Sequence, residues 1–139
     1  MKLPALDSEL KERITCDLKV VWNHLNDALG HIDTIRIPRH LTLLSMLFIA
    51  PTSFGEKLKY AKAAKAIERA KNTIVQLSNF LTNEDGSLKI EYPLLEDILF
   101  AEYDLLTSRL YSYKNAKEIG LRIKEIMHHI DTVVSSLED

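Results

Sequence analysis

Apolar side chains that recur every three or four residues, over long stretches almost free of glycine, constrain this chain more than any other feature. Leu10, Ile14, Leu18, Val21, Leu25, Leu29 and Ile32 keep that spacing. So do Tyr60, Ala63, Ile67, Ala70, Ile74, Leu77 and Leu81, and again Ile119, Ile123, Ile126, Ile130, Val133 and Leu137. At about 3.6 residues per turn, each set falls on one side of an α-helix. The period-two alternation of a half-buried strand is nearly absent. Only four glycines and four prolines occur, and they punctuate the periodic runs. The expected fold class is all-α: an antiparallel helical bundle of four main helices plus one short buried helix, as one domain over all 139 residues.

The first helix is expected from Asp7 or Ser8 to Ile35, with Pro38 as its stop. Leu41 to Ala50 reads as a short second helix, apolar all round and so in need of cover on several sides. Ser53 to Glu56 has the form of a capping box and opens a third helix that continues to about Leu81. "TNEDGSLKIEY" is the one real loop. Pro93, at a first helical position, starts the fourth helix, and a fifth follows a weak break near Asn115.

Composition narrows the function. The chain is 46% hydrophobic, enough for one sizeable core, and its formal net charge of −2 implies no global attraction to nucleic acid or an anionic membrane. Cys16 is the only cysteine, which excludes an internal disulfide and a cysteine-based zinc site. It points away from its helix's apolar stripe and has no local histidine partner, so a thiol nucleophile is not expected. The longest apolar run, Leu41 to Ala50, is about half the length of a membrane span. No signal peptide is read in "MKLPALDSEL" and no glycosylation sequon occurs, which makes a reducing cytoplasm the expected location. Phosphate-binding glycine loops and the G-x-S-x-G nucleophile turn are absent. The expectation is a binding or scaffolding module without catalytic activity or cofactor.

The fourth helix raises the sharpest question. Leu94, Leu95, Ile98, Leu99, Leu105 and Leu106 define its inner face, yet Glu102 and Arg109 fall within about 20° of the centre of that face. Tyr113 extends the line. Isolated buried charges are costly, so both residues are expected to be at least half buried and paired with polar groups on another helix or subunit. Glu102, Arg109 and Tyr113 are thus the candidate ligand-binding residues of a polar pocket. Phe100, Tyr103 and Tyr111 point the other way. Together with the all-apolar second helix, they lead to the expectation of a homodimer.

Histidines invite a metal reading. "EIMH", Glu125 to His128, has the Glu-x-x-His form of di-metal bundles, but His128 lies about 180° from the stripe of its helix and faces solvent. Asp17, His24, Asp27 and His31 share one flank of the first helix, where Asp27 and His31, four apart, could share a metal. The bland reading of that flank is hydrogen bonding at a helix contact, and no metal site is expected. Lys62, Lys65 and Arg69 form an outward basic face on the third helix without interleaved aromatic residues, so nucleic acid is not an expected partner.

In "RIKEIMHH", an arginine is followed on the same helix flank by a histidine. This resembles the arginine–spacer–histidine element of HEPN-type ribonucleases, which are small all-helical dimers. The resemblance implies Arg122 and His129 as an alternative catalytic pair, polarising phosphate and moving a proton. Ile123 stands where that family usually has a polar residue. "HLNDALG" and "KAIERAKNTIVQL" are loosely similar to helices of cobalamin adenosyltransferase bundles, whose glycine-rich ATP segment is missing here, so a shared bundle shape is all that follows. The chain as a whole looks like small helical proteins common in archaea, from which no function carries over.

Overall fold

The computed structural model describes residues 7–35, 54–110 and 112–138. Five helices make up that part of the chain: α1 (Ser8–Asp33), α2 (Phe54–Leu81), α3 (Pro93–Leu99), α4 (Tyr103–Ser108) and α5 (Tyr113–Glu138). The fold is all-α among the described residues, with one isolated β-bridge between Thr82 and Leu88. The short helix expected over Leu41–Ala50, the Ser53 end of the capping box, Pro38 and Tyr111 lie outside the described residues.

The three long stripes behave as their periodicity requires. On α1, Ile14, Leu18, Val21 and Leu25 are fully buried, and Leu29 and Ile32 nearly so. Every stripe residue of α2 from Tyr60 to Leu81, and of α5 from Ile119 to Leu137, is buried in the same core. The Asp7 side chain caps α1 by accepting from the Glu9 backbone N–H. The helix ends at Asp33, two residues short of the expected Ile35, where Thr34 folds its hydroxyl back onto the His31 carbonyl at 2.8 Å.

α1 sits between the other two long helices. Lys59 Nζ reaches the Thr34 carbonyl oxygen at 2.7 Å, Arg69 faces Asp27 at 3.9 Å, and the Arg13 guanidinium lies 4.8 Å from the Phe80 ring centre. These pairs run α1 and α2 in opposite directions. Lys19 meets Glu138 at 3.0 Å while Gly120 faces Leu29 and Ile32, so α5 also opposes α1. A cleft in that second seam holds Trp22, whose indole Nε1 is sealed from solvent without a hydrogen-bond partner among the described residues. The loop after α2 tightens through Gly86, at φ +89°, whose N–H donates to the Asn83 carbonyl at 3.0 Å. Hydrogen bonds from Ser87 hold the Asp85 carboxyl below its usual range.

The expected fourth helix is a correction. It is not continuous: α3 ends at Leu99, Phe100 to Glu102 are non-helical, and α4 begins at Tyr103. α3 packs on α5, whereas α4 packs on α2. The break rotates the second half, so Tyr103, Leu106 and Leu110 face the core and Leu105 is exposed. Glu102 and Arg109 become the residues flanking α4, and both are exposed rather than half buried. A continuous helix would have carried both charges into the core, at several kcal/mol each without excellent pairing. Breaking the helix forfeits a few backbone bonds and leaves both charges in water. Tyr103, expected on the outer face, is 3% exposed and helps to seal the junction.

Candidate functional site

Because α3 leans on α5 and α4 turns away toward α2, a groove of about 700 Å³ is left between α5 and the α3–α4 corner. The corner contributes Glu96, Asp97, Phe100, Ala101 and Glu102, and α4 adds Leu105, Leu106 and Arg109. The facing wall is one flank of α5, where Asn115, Glu118, Arg122, Glu125 and His129 stand beside Ile119 and Ile126.

The floor is aliphatic and the walls are charged. Five carboxylates line the groove against two guanidiniums, a net charge of −3 with His129 neutral. Arg122 is held by Glu125 at 2.9 Å, one helical turn away, with about half of each side chain exposed. Glu96, Asp97, Glu102, Glu118 and Arg109 form no ion pair among the described residues. Phe100, 63% exposed, stands at the rim. Behind it, burial pushes the Tyr103 hydroxyl well above its ordinary pKa, an effect that the positive charge of Arg122 partly opposes.

The groove brings together residues that the sequence offered separately. Glu102 and Arg109 line it together with Arg122 and His129. Tyr113 does not; it lies under the Lys117 ammonium at 5.4 Å. On the first helix, Asp17 binds Arg13 at 2.8 Å, and His31 lies 3.6 Å from Asp27. Among the described residues no group of three or more His, Cys, Asp or Glu could hold a metal ion, so the Asp17–His31 flank does not converge. His128 and Cys16 are exposed.

Sequence reasoning missed Asn115, Glu118 and Glu96 as members of one site. Asn115 reads as a weak helix break, and a count of 100° per residue puts Glu96 on the face opposite the leucines. Their common address exists only once the two walls meet. No protein-family model, curated protein or solved structure matches the chain. The groove therefore has to be interpreted from its own chemistry. No helix among the described residues is long and apolar enough to cross a membrane.

Proposed function

We propose that this protein is a cytoplasmic binding module rather than an enzyme, and that its working surface is the groove between α5 and the α3–α4 corner. One observation carries the reading: five carboxylates and two guanidiniums surround an apolar floor. A hollow of this size lies in the ordinary range for ligand sites, which are mostly apolar with a few placed polar groups. Its sign favours a cationic ligand, because the field of the walls is attractive to positive charge and repels phosphate. The architecture assumed is an antiparallel four-helix bundle in which α3 and α4 share the fourth position. The assumed assembly is a homodimer, for which the exposed Val75 and Leu105, facing the hollow between α2 and α4, supply an apolar patch.

Titration calorimetry at low salt tests this reading with spermine and, separately, with an RNA oligonucleotide. Heat from spermine that fades with added salt, and that is lost when Glu102→Lys and Glu118→Lys are combined, is the expected result. Tight RNA binding in place of spermine binding overturns it.

A second reading has one observation in its favour: Arg122 and His129 do line the same groove. A metal-independent ribonuclease would use Arg122 to polarise phosphate and His129 to move a proton. Against it, Arg122 is already bound to Glu125, and the walls carry net negative charge. Incubation with mixed RNA decides the point. Cleavage that disappears in His129→Ala would establish the ribonuclease.

A further inference from the structure

Resting on the groove as a cation site, we propose that its occupant is a basic, partly apolar peptide segment of a partner protein, held through its main chain by Asn115 and through its cationic side chains by Glu102 and Glu118. Asn115 carries the step from cation to peptide. The residue is only 8% exposed. Its backbone N–H donates to the Ser112 hydroxyl at 3.3 Å, but its carboxamide has no hydrogen-bond partner among the described residues. Trp22 Nε1 is the one side-chain polar atom among them that is both sealed and unpaired. The Asn115 carboxamide therefore still meets open space, and the space that it lines is the groove.

A side chain this far buried that still reaches the groove without a partner is placed to meet a ligand there. A carboxamide offers an acceptor and donors side by side. A peptide bond offers the complementary pair, whereas an ammonium group offers donors alone. A metal ion would need converging ligands, which are absent among the described residues. The dimensions agree with a peptide. The lining residues of α5 run from Asn115 to His129, about 21 Å of helix axis, which matches about six residues of extended chain. Phe100, 63% exposed at the rim, gives an apolar side chain of such a segment a surface to cover. A second copy of this chain placed groove to groove is disfavoured, because it would set five carboxylates against five.

The test is fluorescence polarisation with a short labelled peptide of alternating lysine and leucine, alongside the same peptide N-methylated along its backbone. The unmethylated peptide should bind the native protein at low salt. Combining Glu102→Lys with Glu118→Lys should weaken it about tenfold or more, since two attractions become repulsions. Asn115→Leu should weaken the unmethylated peptide about fivefold and leave the N-methylated one unchanged. If Asn115→Leu does not fold by circular dichroism, the two peptides compared on the native protein put the same question, and equal affinity overturns the proposal. If spermine binds as tightly as the peptide and Asn115→Leu leaves peptide affinity intact, the cation site stands and the peptide proposal falls. If neither ligand binds, both fall.

Discussion

The Tyr103 hydroxyl donates to the Ile98 carbonyl oxygen at 2.8 Å, across the break between α3 and α4. The carbonyls of a helix's last turn lack intrahelical partners, and this bond supplies one inside the core. Tyr103→Phe keeps the ring and removes the donor, so a loss of about 1–2 kcal/mol in urea unfolding is expected. The pH dependence has a definite sign. The phenol is held above its ordinary pKa of about 10 in the folded chain, so its contribution is complete below that pH and is lost as the pH rises, because the unfolded chain ionises first. The stability difference between the native protein and Tyr103→Phe should therefore narrow above about pH 10. A difference that stays constant to high pH would show that this hydroxyl is not the titrating group.

Glu102 and Arg109 both stand in water at the ends of α4. Alanine at either position should change stability by no more than about 0.5 kcal/mol, as is usual for surface sites. Ile123→Ala, in the fully buried stripe of α5, should cost about 2–5 kcal/mol. Denaturant midpoints of the three variants provide the measurement. A large loss in Glu102→Ala would mean that the helix continues through Phe100 after all.

Two glycines should respond oppositely to alanine. A Cβ on Gly120 would meet Ile32 and Leu29 at 3.6 and 3.7 Å, ordinary contact distances. Gly120→Ala should thus add about 0.5–1 kcal/mol by stiffening the unfolded chain and filling a helix interior. Gly86 sits at φ +89°, where a side chain is strained, and Gly86→Ala should lose about 1 kcal/mol or more. Thermal melts of the pair report both signs at once.

Light scattering at micromolar concentration should give the mass of a dimer for the native chain. Val75→Lys, placed in the exposed patch beside α4, should shift that mass toward one chain. A monomer mass for the native protein would remove the proposed assembly and leave the groove untouched.

The long helices were legible because each stripe is long, regular and nearly free of charge. The fourth was misread in its rotation, and the reason is instructive. No glycine or proline lies between Pro93 and Tyr113 to announce a break, so counting 100° per residue ran straight through Phe100. The signal was present in another form: two charges at the centre of a leucine line describe a helix that cannot continue without burying them. Tyr103 and Leu105 exchange roles once the second half turns. The groove was half legible. Glu102, Arg109, Arg122 and His129 were singled out for unrelated reasons, but Asn115 and Glu118 could not be, since their neighbours across the groove come from other helices, α4 and the α3–α4 corner.

Trp22 is the only tryptophan in the chain, and its indole nitrogen is sealed at the junction of α1 and α5. Indole emission, excited selectively over the five tyrosines, therefore reports one location. No described residue lines both that cleft and the groove. A ligand that fills the groove should leave the emission wavelength unmoved, whereas separation of α1 from α5 wets the indole and shifts its light toward the red. The native sequence thus carries a built-in optical control that tells occupancy of the groove apart from loosening of the helices that frame it.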